Sequence, residues 1–329
     1  RYSFFDALVA HQKKHIKNID GFSLQKGVLY TTRNDIFQKD PSRLIRVFRI
    51  AQQFAVKLDV KLKQKITNSI PLINSQLIHN SDAAESFKAI LNAPGEVYPI
   101  LKEMHFLGVL GRYIPEFGQL TCLIQHEYYH RYTADEHVLR TIRHLDNVYQ
   151  KLNPMDIPYE KELRKTIKPR LLYITLLLHD IGKSDGIKGH AESGAIQAQP
   201  VLARLGINQE DQEKILFIIR NHLEMARFWQ HYDLDDLQTA ISFSAIVKNT
   251  ELLRYLSIHT YCDARGTAPN LWNNYKDSMH QTLFQRTLKY LENKSKETTS
   301  IGEYRAMLKK DVLQLSLGKL PEEEVEAHF

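Results

Sequence analysis

Apolar residues recur along most of the chain with the spacing of amphipathic α-helices. Between positions 44 and 55 they lie three and four residues apart, which predicts a helix with one buried face. Pro200 falls inside another such segment and should kink or end its helix. The same spacing predicts helices over residues 60–69, 82–91, 97–107, 134–152, 171–180, 191–205, 210–229, 235–247, 250–262 and 271–291.

Strand character is confined to the first 40 residues. Residues 21–32 alternate around Gly21 and Gly27, which predicts a short β-hairpin. Asp40-Pro41-Ser42 then begins the first long helix. Further on, Gly108, Gly111 and Pro115 interrupt the helical pattern, so we expect a tight connection there between two helical regions.

Composition limits the function classes. The 329 residues carry a net charge of +6, spread thinly rather than as the dense basic stripe of a nucleic-acid-binding protein. Cys122 and Cys262 form no CxxC pair, which argues against a disulfide scaffold or a cysteine zinc site. No apolar run is long enough for a membrane span, and the N-terminal residues show no signal pattern. We expect a cytoplasmic protein without nucleic-acid or membrane partners. Because Arg1 rather than Met comes first, we also expect a piece of a longer protein.

Candidate chemistry centres on Leu176-Leu177-Leu178-His179-Asp180-Ile181-Gly182-Lys183. An apolar helix that ends on His179 and Asp180 buries two groups that need partners. Two other helices carry similar residues near an end, with His137 in the first turn of a helix that Thr133 or Asp135 can cap and Asp263 after an apolar run. Imidazole and carboxylate together suit zinc, manganese or iron, and a site with open positions also accepts magnesium. The sequence thus suggests that His137, His179, Asp180 and Asp263 bind a metal.

This order of ligands resembles the HD superfamily of metal-dependent phosphohydrolases, which has the pattern H…HD…D. His190 and His222 match the two additional histidines of its two-metal members, so the resemblance implies one or two divalent ions. Lys183 is either a solvated charge or a group that neutralises phosphate, and Asp180 would act in catalysis as well as in metal binding. The remaining histidines are interpreted as structural or surface residues, among them His126, His130, His144, His231 and His259.

Three longer motifs surround these residues, Tyr129-His130-Arg131-Tyr132-Thr133-Ala134-Asp135-Glu136-His137, Gly108-Val109-Leu110-Gly111-Arg112-Tyr113-Ile114-Pro115-Glu116-Phe117 and Asp263-Ala264-Arg265-Gly266-Thr267. They resemble segments of the bacterial bifunctional protein-PII uridylyltransferase / uridylyl-removing enzymes. The resemblance implies a hydrolase that removes UMP from a tyrosine of the PII signalling protein, in nitrogen regulation. PII would be the partner, UMP the product, and Mn²⁺ or Mg²⁺ the cofactor, with Zn²⁺ or Fe²⁺ as alternatives.

The resemblance also implies an all-α fold, in which a helical connector with a short N-terminal β-hairpin precedes an HD-domain helical bundle. Expected boundaries are 1–40 for a remnant of a nucleotidyltransferase region, 41–125 for the connector, 126–300 for the HD domain and 301–329 for a helix and linker toward ACT domains. No nucleotidyltransferase motif and no ACT domain is found in the sequence. Two alternatives stay open, an HD phosphohydrolase that acts on a free nucleotide and a non-catalytic regulatory segment.

Overall fold

A computed structural model describes residues 17–124, 131–166 and 168–315 of the chain, with side chains described up to 295. His126 and His130, like most of the predicted linker, lie outside the described residues. Within the described part the fold is mainly helical with one small sheet, which confirms the predicted fold class. No helix of that part has the length and hydropathy needed to cross a membrane. The cytoplasmic location and the domain boundaries remain predictions.

The small sheet has four strands in the order β1 (Lys17–Ile19), β2 (Phe22–Gln25), β3 (Val28–Tyr30) and β4 (Lys57–Leu58). Its first three strands are antiparallel, whereas β4 pairs parallel to β3. Both hairpin turns have two residues with positive φ, Asp20-Gly21 and Lys26-Gly27. That geometry matches the right-handed twist of paired strands, which explains the hairpin predicted around these two glycines.

Short helices follow β3 and form the connector, with β4 between the second and the third of them. Apolar residues on one face of each are buried, as in Leu44, Val47 and Phe48. Asp59 and Asn80 cap the starts of two of the helices through their side-chain oxygens. The connector helices are α1 (Ile36–Lys39), α2 (Arg43–Gln53), α3 (Val60–Asn68), α4 (Ser75–Ile78), α5 (Ser81–Leu91), α6 (Val97–Phe106), α7 (Val109–Tyr113) and α8 (Pro115–Gly118).

The second helical region contains the candidate ligands. Its helices are α9 (Ala134–Gln150), α10 (Asp156–Leu163), α11 (Pro169–Leu178), α12 (His190–Arg204), α13 (Gln209–Asn221), α14 (Glu224–His231), α15 (Leu237–Val247), α16 (Thr250–Thr267) and α17 (Asn274–Leu315). A 3-10 helix, Ile181–Asp185, follows α11. Helix α11 packs against α5, α9 and α13, and seven of its apolar side chains are at most 1% exposed.

Three helix predictions need correction. The predicted helix 210–229 is two helices, because the backbone breaks at His222 and Leu223. Helix α16 does not end at residue 262 but continues to Thr267, so Asp263 lies inside it. Of the two effects expected of Pro200, a kink or a helix end, the helix end is wrong, because α12 runs on to Arg204.

The chain forms two compact units. The first contains the described residues up to 225 together with 254–274, and the second contains 226–253 with the described residues from 275 onward. All six candidate metal ligands belong to the first unit. In the second unit, Phe228 packs on Phe243 with ring centroids 4.9 Å apart, and Arg286 pairs with Asp235 at 2.5 Å.

Candidate metal centre

His137 lies in the first turn of α9, and a network around Asp135 fixes that end of the helix. The Asp135 carboxylate lies 3.1 Å from His105 Nε2 and accepts a hydrogen bond from the backbone N–H of Cys122. Burial alone would raise the pKa of Asp135, but hydrogen bonds from His105 and Thr133 lower it to about 2. Asp135 is therefore ionised at neutral pH and anchors the turn that presents His137.

His179 and Asp180 follow the last residue of α11 and are almost completely buried, at 0% and 1% exposed. The 3-10 helix that comes next turns the chain toward α12. That turn is tight because Gly182 packs backbone to backbone on Gly194, where a β-carbon would collide. The sequence after the HD dipeptide thus brings the start of α12, with His190, close to Asp180.

One carboxylate oxygen of Asp180 belongs to a first group of candidate ligands. Asp180 Oδ2 lies 3.4 Å from the Nε2 atoms of both His137 and His179. Asp263 Oδ1 lies 3.0 Å from His137 Nε2 and 3.4 Å from His179 Nε2. The four side chains predicted to share a metal therefore come together in space. Asp263 is the most accessible of them, with 19% of its side chain exposed.

The other oxygen of Asp180 belongs to a second group. Asp180 Oδ1 lies 3.4 Å from His190 Nε2 and 3.9 Å from His222 Nε2. The two histidine Nε2 atoms are themselves 3.2 Å apart. Metal-compatible clusters are formed by His137, His179 and Asp180 and by Asp180, His190 and His222, so Asp180 is common to both.

Hydrogen bonds to the backbone determine which nitrogen of three histidines faces the centre. The Nδ1 atoms of His179, His190 and His222 lie 2.8, 2.8 and 2.7 Å from the carbonyl oxygens three residues earlier. A carbonyl only accepts, so each Nδ1 carries the proton and donates it. In the neutral ring, Nε2 then keeps its lone pair for a metal ion.

The spacing of the ligand atoms fits metal coordination. Bonds of about 2.0–2.2 Å at right angles place neighbouring ligand atoms about 3 Å apart. The separations of 3.0 to 3.4 Å in the first group and 3.2 Å between His190 and His222 are close to that value. Two unprotonated Nε2 atoms facing each other without a cation would repel. His179 Nε2 is also buried without a well-aligned hydrogen bond within the described chain.

The pKa shifts of these residues without a bound cation also indicate a cation site. Burial would lower the pKa of His179, but the carboxylates of Asp180 and Asp263 raise it to about 10. Burial would raise the pKa of both carboxyls, yet His179 holds them well below their usual range. His222 is buried and faces the charged His179, which lowers its pKa to about 4. Two buried carboxylates thus require positive charge here, which a protonated imidazole or a metal ion can provide.

Lys183 is buried and lies 2.8 Å from Asp180, measured between Nζ and Oδ2. This position removes the alternative of a solvated surface charge. The ammonium group adds a fixed positive charge at the edge of the first ligand group, and it contributes to the low pKa of Asp180. Its role in neutralising phosphate remains a prediction.

His259, interpreted from the sequence as structural, lies beside the candidate ligands. Its ring centroid is 5.1 Å from that of His179 and 6.0 Å from that of His222. Both of its ring nitrogens are buried without a hydrogen-bond partner among the described residues. His259 precedes Asp263 by four positions on α16, so helical spacing was a signal that placed both on one face. His231, in contrast, is exposed.

Family comparisons agree with this geometry. The family described as "Uridylyltransferase GlnD third domain" matches residues 22–113, and the family described as "HD domain" matches residues 134–242. A bifunctional uridylyltransferase/uridylyl-removing enzyme of Nitrobacter hamburgensis is 36% identical over 271 residues. Over this region the chain belongs to that enzyme family. The prediction of an HD-type metal-dependent phosphohydrolase is thereby confirmed.

The match covers 82% of this chain but 29% of the Nitrobacter enzyme. A second bifunctional enzyme, from Caulobacter vibrioides, is 34% identical over 279 residues, which are 84% of this chain and 30% of that protein. The chain therefore spans about three tenths of the length of these relatives. What the complete relatives do beyond this region is not transferred to the chain by the match alone.

Two solved structures share the fold at low identity. A CCA-adding enzyme with ATP aligns with a TM-score of 0.51 and 11% identity, over 79% of this chain and 50% of that one. A CCA-adding enzyme with CTP aligns with a TM-score of 0.50 and 13% identity, over 91% of this chain and 59% of that one. At such identities the likeness concerns the fold alone.

Proposed function

We propose that the HD region holds two divalent ions and hydrolyses a phosphodiester, namely the uridylyl group on a tyrosine of PII, with release of PII and UMP. The observation that carries the proposal is the position of Asp180. Its two carboxylate oxygens face different sets of histidines, His137 and His179 on one side and His190 and His222 on the other. A carboxylate between two ions is a feature of two-metal phosphodiester hydrolysis.

The substrate is inferred from the relatives. Both enzymes compared above are named for uridylyl removal, and their matches cover 82% and 84% of this chain. The resemblance of the motifs at 108–117, 129–137 and 263–267 to PII-modifying enzymes supports the same substrate. Hydrolysis of the tyrosyl ester releases a phenolate, which leaves readily, so the reaction does not require a strong general acid.

Divalent ions at this site would supply a hydroxide at neutral pH and positive charge beside the phosphoryl oxygens. The chain's own groups would hold and orient this chemistry. Asp180, kept ionised by Lys183 and the histidines, is positioned to contribute one oxygen to each ligand group. Lys183 would offset negative charge that develops on the phosphoryl group. Asp263 lies at the accessible edge, from which a phosphotyrosyl ester would approach.

Ligand chemistry guides the choice of ion. Four imidazoles and two carboxylates suit Mn²⁺ better than Mg²⁺, which prefers oxygen ligands and retains several waters. We therefore propose Mn²⁺ as the more effective ion and Mg²⁺ as a weaker substitute. Zn²⁺ and Fe²⁺ match the same ligand set and belong in the same comparison.

The test combines metal content with product analysis. Asp180→Ala should lose both ions and reduce UMP release from uridylylated PII by at least about a thousandfold. Asp185→Ala is the matched control, since Asp185 lies five residues on and bonds to Ser193 and Gln197 instead. Full activity of Asp180→Ala would refute the proposal. Release of UMP from free nucleotides alone, with none from PII, would refute the substrate but retain the hydrolase.

A further inference from the structure

A polar cavity of about 450 Å³ lies within the first unit. It is lined by residues of α9, of the end of α16 and of the loops next to these helices. None of the six candidate metal ligands lines it. We call it the arginine pocket, after Arg140, Arg143 and Arg265, which line it together with His144, Tyr132 and Trp272. Its volume falls within the range of small-molecule sites.

The charges of the pocket favour an anion. Three arginines and three asparagines line it, and no Asp or Glu is among the lining residues in the described part of the chain. Arg140 pairs with Glu136 at 2.7 Å and Arg265 pairs with Asp156 at 2.7 Å, and both acids lie outside the lining. Arg143 is exposed and has no carboxylate within 4 Å in the described part of the chain. The pocket therefore keeps a net positive charge and unused N–H donors.

The neighbouring His144 responds to this charge. Its ring hydrogen-bonds to the backbone of Arg265, while its Nδ1 atom is buried without a partner among the described residues. Burial lowers the pKa of His144, and Arg265 and Arg143 lower it further, to about 3. His144 thus stays neutral, and the positive charge of the pocket comes from the arginines.

Aromatic groups complete the site. Arg140 lies over the ring of Tyr132, 3.7 Å from its centroid, which holds the guanidinium flat. The Trp272 ring is 7% exposed and meets Tyr261 edge to face at 5.3 Å. A guanidinium fork binds phosphate oxygens in pairs, and flat side chains beside it suit a planar base.

We propose that the arginine pocket binds a small phosphate-bearing anion, and that it is separate from the metal centre. The phosphate would lie between the guanidinium groups of Arg140, Arg143 and Arg265. The shared chemistry has two sources, a nucleotide or an inorganic phosphate, and the relative affinities for UMP and pyrophosphate distinguish them. The proposal does not depend on the hydrolase reaction.

Helices α9 and α16 contribute to both the arginine pocket and the metal centre, and they cross between His137 and His144. Gly266 packs against Thr141, where an added β-carbon would lie 2.7 Å from Thr141 Cγ2 and 3.0 Å from its backbone nitrogen. His137 precedes this crossing on α9 by four residues, and His144 follows it by three. The two sites are thus close neighbours on the same pair of helices, but none of the six candidate metal ligands lines the pocket.

The experiment uses Trp272 as the reporter. The chain has two tryptophans, so Trp229→Phe leaves Trp272 alone. Titration with pyrophosphate and with UMP, in buffer containing EDTA, should give a saturable change in Trp272 fluorescence. EDTA removes metal-bound phosphate as an explanation, because binding at the metal centre requires the ion. Isothermal titration calorimetry on the unsubstituted protein checks that Trp229→Phe has not created the signal.

Variants decide the outcome. Arg143→Gln combined with Arg140→Gln should weaken binding at least about tenfold, whereas Arg33→Gln, a change in an exposed arginine outside the pocket, should leave it unchanged. Tighter binding of UMP than of pyrophosphate identifies a nucleotide, and the reverse identifies an inorganic phosphate. Absence of saturable binding to either probe, binding that disappears in EDTA, or equal affinity in the double variant would overturn the proposal.

Discussion

Gly182 and Gly194 pack backbone against backbone, and this contact sets the distance between the two halves of the candidate metal centre. A β-carbon added to Gly182 would lie 2.9 Å from Gly194 Cα and closer still to Gly194 N and the carbonyl oxygen of His190. Backbone atoms cannot yield as a flexible side chain can. Gly182 belongs to the segment after His179 and Asp180, and Gly194 belongs to the helix that begins at His190.

The first prediction is that Gly182→Ala separates His190 from Asp180. The added methyl group pushes α12 away from the 3-10 helix, so the second ligand group should lose its geometry. We expect a loss of at least about 2 kcal/mol in the free energy of unfolding from the overpacking. Chemical denaturation and metal content of the purified variant measure the two effects.

Gly194→Ala provides the matched comparison. Its added β-carbon would meet Gly182 N at 3.3 Å and His179 O at 3.4 Å, tight contacts that a small shift relieves. It should therefore cost less stability than Gly182→Ala and retain metal. Equal effects of the two substitutions would show that this contact does not hold the centre together.

The second prediction concerns the number of ions. His222→Ala removes a ligand from the second group only, since His222 Nε2 lies near His190 Nε2 and Asp180 Oδ1. Metal analysis should give one ion per chain instead of two. His231→Ala, a change in an exposed histidine, should keep both. A single ion in the unsubstituted protein, unaffected by His222→Ala, would contradict the two-ion arrangement.

The sequence allowed the ligand types to be predicted because their chemistry is local. His179 and Asp180 end an apolar helix, and a buried helix end with two polar groups needs partners wherever the fold places it. Their arrangement was not predictable in the same way. That the two oxygens of Asp180 serve different histidines depends on how α12 and α13 pack, which local spacing does not determine.

Helix ends were predicted less well than helix cores, for a related reason. Periodicity identified the buried face of residues 210–229 but not the break at His222. At this break the His222 ring donates its Nδ1–H to the carbonyl oxygen of Ile219. The sequence favours a structural interpretation of His259, because a single histidine seldom has a function. Helical spacing places His259 on the same face of α16 as Asp263, but its proximity to His179 depends on how α16 packs in the fold.

The third prediction is that His259→Leu stabilises the metal-free protein. Both ring nitrogens of His259 are buried without partners among the described residues, and each such group costs about 1–3 kcal/mol. An apolar side chain of similar size removes the cost of both nitrogens, so the free energy of unfolding in EDTA should rise by about 2–6 kcal/mol. Denaturant titration measures it. His231→Leu, at an exposed position, should change stability by less than about 0.5 kcal/mol. A loss of stability in His259→Leu would instead indicate a hidden partner for the ring.

The fourth prediction uses Asp146, a buried carboxyl of α9. It accepts hydrogen bonds from the backbone N–H groups of Val97 and Tyr98 and from the Tyr173 hydroxyl. Burial raises the pKa of Asp146 from 3.8 to about 6, although these hydrogen bonds oppose the change. The folded state therefore favours the protonated carboxyl. Its contribution to stability is full below about pH 4 and is lost as the pH rises through 6.

The loss amounts to about 3 kcal/mol, since each pKa unit corresponds to about 1.4 kcal/mol. Asp146→Asn cannot ionise, so its free energy of unfolding relative to the unsubstituted protein should rise by about 3 kcal/mol between pH 4 and pH 7. Urea unfolding of both proteins in EDTA at several pH values measures this difference. Tyr173→Phe removes the hydroxyl that lowers the pKa of Asp146. In the Tyr173→Phe protein the loss of stability should therefore occur at higher pH. If the free energies of unfolding of the unsubstituted protein and of Asp146→Asn differ by the same amount from pH 4 to pH 7, the carboxyl titrates alike in the folded and unfolded chains.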